Sequence, residues 1–117
     1  MKVKFYQKGN GKYPVAEFLE ELPAEESARI TACLSNVERL GFDSPRVSFR
    51  QIRGSLWEIK IKTHRGGYRL FYVCLQGKNM VLLHAYKKQS QKAPKKEIET
   101  AERRMLEVIE NESAYVN

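Results

Sequence analysis

The sequence predicts an α+β fold in a single domain: a strand, a helical hairpin, an antiparallel meander of three to four strands, and a C-terminal helix. Three observations carry this expectation. Apolar residues recur at helical spacing over 15–40 and 98–108, alternate with polar ones over 2–7 and 57–62, and run almost without interruption over 68–75. With 117 residues, 42% hydrophobic and 30% charged, the chain can bury one contiguous core and is too short for a second. The domain is expected to occupy 1–112, with 113–117 fraying.

In the first strand, Val3 and Phe5 share one face and Lys2, Lys4 and Tyr6 the other, until Gly9, Asn10 and Gly11 end it. Pro14 suits a helical first turn, after which Val15, Phe18, Leu19 and Leu22 fall on one stripe. Pro23 restarts the pattern, Glu25 and Glu26 complement the positive end of a second helix, and Ile30, Leu34, Val37 and Leu40 continue it to Gly41. Residues 42–47 read as a loop, and Val47 to Ile52 as a short strand before the Gly54 turn.

From Leu56 the period becomes two, with Trp57, Ile59 and Ile61 opposite Glu58, Lys60 and Lys62. A turn at His64 to Gly67 leads into Tyr68 to Leu75, which is apolar enough, Arg69 apart, to be central and covered on both faces. Gly77 is placed for positive φ in the next turn. The last strand, Met80 to Lys88, is expected to turn Val81, Leu83 and Ala85 one way and Leu82, His84, Tyr86 and Lys88 the other. A basic linker, 87–93, precedes Pro94 and a helix striped by Ile98, Ala101, Met105 and Val108. Because the first strand reaches the meander through a helical crossover, parallel pairing with a neighbour is expected there.

Composition excludes several classes. No apolar run approaches the ~20 residues of a membrane span, and the N-terminus lacks the apolar stretch of a signal peptide, so a cytoplasmic protein with no membrane partner is expected. Cys33 and Cys74 stand in separate apolar segments and read as buried thiols of a reducing compartment. Two histidines and two separated cysteines offer no metal-ligand cluster, and neither a phosphate-binding glycine loop nor a serine elbow is present. No metal and no cofactor are expected.

Charge is the most informative feature. Residues 46–96 hold thirteen Lys and Arg with Glu58 as the only acid, whereas 15–43 and 97–117 are net acidic; the whole chain carries +7. Gathered on one surface, the middle block would suit a polyanion such as nucleic acid; the alternative is a generally solvated lysine surface. Lys60 and Lys62, then Arg69, then His84, Tyr86 and Lys88 fall on successive strands, with Lys87 and Lys92 beside them. Such a face could serve RNA cleavage by 2′-hydroxyl attack, which needs a proton acceptor, a proton donor and cations, without a metal. Arg69, inside the most apolar strand, must either pair, for instance with Glu58, or point into a groove. His84 reads as an acid or base or as a bonded core histidine, and Tyr86 as a stacking or proton-donating group or as core.

The segments FLEEL (18–22), RGSLWEIKI (53–61), GYRLFY (67–72), LLHAYKK (82–88) and the following KAP, in this order, resemble the RelE/HigB superfamily of type II toxin–antitoxin toxins, in its HigB-like, phage-associated branch. The resemblance implies a RelE-like fold and metal-independent endoribonuclease activity on mRNA, commonly on the ribosome. It also implies a cognate antitoxin, often a helix-turn-helix protein. By motif, Arg69 resembles the family's phosphate-binding arginine, Lys60 a strand lysine, and Lys87 and Lys88 the basic pair after the final strand. The tyrosine expected beyond that pair is absent and Pro94 lies in that region, which leaves the acid and base among Tyr86, His84 and Lys92. Lys62, Lys87, Arg50, Arg53 and Arg65 would extend the RNA-binding surface. The other function compatible with these residues is a catalytically silent RNA-binding or partner-binding module.

Overall fold

The computed structural model describes residues 1–89 and 92–116, so part of the basic linker lies outside the described residues. Five strands, β1 (Lys2–Phe5), β2 (Val47–Arg53), β3 (Leu56–Thr63), β4 (Gly66–Leu75) and β5 (Asn79–Lys87), form one sheet in the order β1-β5-β4-β3-β2. β1 pairs in parallel with β5, and the other neighbours are antiparallel. Helices α1 (Pro14–Glu21) and α2 (Ala24–Leu40) pack on one face and α3 (Lys95–Glu110) on the other.

Local chemistry sets the helix ends. Leu22, which precedes Pro23, is held extended at φ −75° and ψ 158°, which stops α1. Gly41 closes α2 at φ 61°, a conformation that would strain a side-chain-bearing residue. Ile30, Cys33, Leu34 and Val37 of α2 then bury one stripe against Ile59, Ile61, Leu70 and Tyr72 of the sheet. On the opposite face, Ala101 and Val108 of α3 cover Phe71, Val73, Val81 and Leu83. β4 therefore contributes to both cores, which is why its sequence is apolar at nearly every position.

One expectation is corrected. The strict alternation read into β5 fails because the register steps from Phe71 opposite His84 to Tyr72 opposite Leu82, leaving Leu83 as an extra residue. Beyond this bulge the faces exchange: Ala85 joins Leu82 on the α1–α2 side, while Tyr86 joins Val81 and Leu83 beneath α3. Close to the C-terminus, beyond α3, the chain packs back on the sheet. A short 3₁₀ turn, Glu112–Ala114, seats Tyr115 in the α3-side core, where its hydroxyl accepts the Gln7 backbone N–H at 3.0 Å. The free thiol of Cys33 is buried, as expected, but that of Cys74 is only partly so.

Candidate functional site

The pairing register builds the site row by row. Lys60, Arg69 and Tyr86 are direct cross-strand neighbours on β3, β4 and β5. The row on one side holds Glu58, Phe71 and His84, and on the other Lys62 faces Gly67, whose carbonyl accepts the Lys88 backbone N–H at 2.8 Å. These side chains share the α3 face, because their row neighbours Phe71 and Tyr86 belong to the core beneath α3. α3 begins over the His84 row, where Glu97 of its first turn meets the imidazole. The lysine rows lie beyond that first turn.

Lys60, Lys62 and Lys88 line a cleft of about 580 Å³ together with Arg46, Ser48 and His64. The Lys88 stem lies over Gly67, where a Cβ would come within 3.6 Å of its Cδ. Partial burial, followed by the repulsion of Lys60, Arg69 and Lys62, holds the Lys88 ammonium below the usual lysine range. Four cations sharing one field in this way give the cleft a positive potential, of the kind that suits an anion with several charged oxygens.

The other sequence-derived candidates are distributed differently. Arg69 does not reach into the groove. Its side chain is 0% exposed, with Nε 3.9 Å from Glu58 Oε2 and Nη1 donating to Tyr86 Oη at 3.4 Å. Glu58, also fully buried, holds Arg50 Nη2 at 2.9 Å, so the pairing alternative holds for Arg69 and the guanidinium acts on the cleft through its field. Tyr86 is buried, and its phenol is pushed up by desolvation against the opposing pull of Arg69. His84 binds α3: Nε2 lies 2.7 Å from Glu97 Oε1, Nδ1 lies 3.4 Å from Arg104 Nη1, and the ring stacks with Phe71 and Tyr86. Burial lowers its pKa while Glu97 opposes the change. Arg53 is tied to Glu102 of α3 at 2.6 Å. Lys87 pairs across from Tyr68 and so faces the α1–α2 side, where it and Arg65 act on Glu26. Lys92 is exposed in the connection before α3.

One supporting group escaped the sequence reading. Glu26, buried in the first turn of α2, accepts hydrogen bonds from the hydroxyls of Thr63 and, at 3.0 Å, Tyr68, clamping the β3–β4 turn that carries the cleft. Glu26 sits where a helix favours acids in any case, so its sequence carries no separate signal. The Thr63 hydrogen bond and, after it, that of Tyr68 hold the carboxyl below its ordinary pKa against the effect of burial. A Glu26→Gln variant is expected to melt at a lower temperature than wild type at neutral pH and to converge with it in acid. The stabilisation is complete above the unfolded carboxyl pKa of about 4.3 and is lost as pH falls through the lower folded value. Thermal melts across that range check it.

Among the described residues, no group of three His, Cys, Asp or Glu could hold a metal ion, and no helix is long and apolar enough to cross a membrane. No curated protein matches the chain. Residues 17–106 match the family described as phage derived protein Gp49-like (DUF891), a span that runs from α1 through the cleft strands into α3. The chain belongs to this Gp49-like family, a family of RelE-like toxins.

Proposed function

We propose that the chain is the toxin of a toxin–antitoxin pair and that it cleaves mRNA on the ribosome, in the cytoplasm, without a metal. The observation that carries this reading is the convergence of Lys60, Lys62 and Lys88 from β3 and the end of β5 on one cleft, backed by the buried Arg69. In the reaction, Lys60 and Lys62 hold the scissile phosphate, and Lys88, in its neutral form, accepts the 2′-hydroxyl proton. The 2′-oxygen then bonds to phosphorus, and the P–O5′ bond breaks. The departing 5′-oxygen takes a proton from a protonated lysine of the cluster, leaving a 2′,3′-cyclic phosphate and a 5′-hydroxyl. Arg69 stabilises the phosphorane charge through its field. An antitoxin of helix-turn-helix type is the partner that restrains it.

The enclosure of Arg69 favours one competing reading, a module that binds RNA or a partner without cutting, because the expected phosphate ligand is withdrawn from solvent. Induced expression separates the two. Cleavage predicts growth arrest and new mRNA 5′ ends by primer extension, both abolished in a Lys60→Ala, Lys88→Ala double variant. Arrest without new ends, or ends that persist in the double variant, would overturn the proposed chemistry. Binding itself should be salt-sensitive: with three lysine–phosphate contacts, affinity for single-stranded RNA is expected to fall roughly 20-fold between about 50 and about 200 mM salt. Filter binding measures this.

A further inference from the structure

On the α1–α2 side of the sheet lies a second cavity, of about 690 Å³, lined by residues of β2, β3 and β4 and by the turn after α2. Its walls are aromatic. Phe42 stands at the rim with 54% of its surface exposed, its ring 5.0 Å from that of Phe49 at 82°, and Phe49 in turn meets Tyr72 at 6.3 Å and 89°. Trp57, the only tryptophan of the chain, pairs across from Tyr72 and lines the same space, as does the partly buried Cys74. Rings set edge to face leave their π faces free for a further aromatic plane. Although 30% of the chain is charged, none of the described residues lining this cavity is. The Tyr72 hydroxyl is buried and has no hydrogen-bond partner among the described residues. Buried polar atoms are ordinarily satisfied, so an unmatched one on a cavity wall marks a place for a ligand atom. Burial, and after it the neighbouring Cys74, pushes this phenol upward, so it keeps its proton and offers a donor.

We propose that this cavity is a binding site for a small, flat, uncharged aromatic molecule whose carbonyl oxygen accepts the Tyr72 O–H while its rings pack among Phe42, Phe49 and Trp57. Size, charge and the unmatched hydroxyl each narrow the occupant. The volume lies inside the range of about 300–1,000 Å³ typical of small-molecule sites. An RNA base would arrive with its phosphates, for which this lining offers no cation among the described residues. An apolar side chain of a partner protein or of a second copy would fill the space and leave the hydroxyl unmatched. A neutral ring system with one acceptor satisfies the aromatic walls and the hydroxyl together. The inference stands apart from the RNA reading, because Trp57 and Tyr72 lie outside the lysine cleft.

The test titrates the full chain with two fused bicyclic probes of similar size: coumarin, which has the carbonyl, and naphthalene, which has no polar atom. The single indole N–H of Trp57 reports binding by NMR. Saturable shifts of that resonance are expected with both probes. Tyr72→Phe, which removes the hydroxyl and keeps the ring, should weaken coumarin about 3- to 10-fold, the worth of one neutral hydrogen bond, and leave naphthalene bound at least as tightly. A Phe42→Asp variant, altered at an exposed position and checked for an unchanged melt, should weaken both about tenfold. Absence of a saturable coumarin shift, coumarin affinity unchanged in Tyr72→Phe, equal losses of both probes in Tyr72→Phe, affinities unchanged in Phe42→Asp, or displacement of coumarin by an oligoribonucleotide would each overturn the proposal.

Discussion

A Glu58→Ala variant is expected to lose about 3–5 kcal/mol of unfolding free energy, because it breaks a buried ion pair by removing one partner. Glu58 is fully buried and is shared by two arginines, Arg50 at 2.9 Å and Arg69 at 3.9 Å. The two respond differently to its removal. Arg50 is half exposed and swings into water, whereas Arg69, at 0% exposure, keeps its charge inside the sheet without its carboxylate. The penalty therefore belongs to the guanidinium left behind. Converting both members, Glu58→Leu with Arg69→Met, should recover most of the loss, because apolar side chains of similar volume replace a pair whose desolvation already offsets much of its attraction. Urea unfolding of Glu58→Leu, of Arg69→Met and of the double variant completes the cycle. A Glu58→Ala loss below about 1 kcal/mol would mean that water reaches Arg69, and the enclosed geometry would be wrong.

The same residues mark the limit of what the amino-acid order discloses. Alternation in Trp57 to Lys62 assigns Lys60 and Lys62 to one face, because a half-buried strand repeats every two residues whatever its partners are. The apolar run of β4 places it centrally for a similar reason, since two covered faces require apolar residues at both parities. By contrast, the depth of Arg69 depends on Glu58, one row along on the neighbouring strand, and on Tyr86 across on the other. Those are pairing facts, and no local pattern around GYRLFY contains them. The bulge at Leu83 is of the same kind. It arises between β4 and β5 and carries no glycine or proline of its own, yet it turns Tyr86 beneath α3 and moves Ala85 to the other core. Tyr115 escapes for a further reason: a lone aromatic near a chain end docks only if the sheet presents a slot for it, here beside Gln7.

The cleft reading makes its strongest claim at Lys88, and pH exposes it. Under the proposed cleavage, Lys88→Ala is expected to lower the single-turnover rate on RNA about 100- to 1,000-fold, the range associated with a group acting on the reacting atoms. The sign of the pH dependence follows from the cause of its shift. Partial burial, and after it the charges of Lys60, Arg69 and Lys62, disfavours the protonated amine, so the neutral acceptor forms at lower pH than in a free lysine. The rate should climb with pH until that depressed pKa is passed, and fall again only where the protonated lysine that serves the departing oxygen is itself lost. Removing one repelling neighbour through Lys62→Ala restores part of the Lys88 basicity, so the rising limb should move to higher pH while the plateau falls with the lost phosphate contact. A role confined to phosphate binding predicts the reverse slope, with affinity and rate falling as the ammonium deprotonates. Rate profiles of wild type and Lys62→Ala, paired with NMR titration of the Lys88 side chain, decide between the two: a limb that stays in place while the Lys88 titration moves removes this lysine from the proton-accepting role.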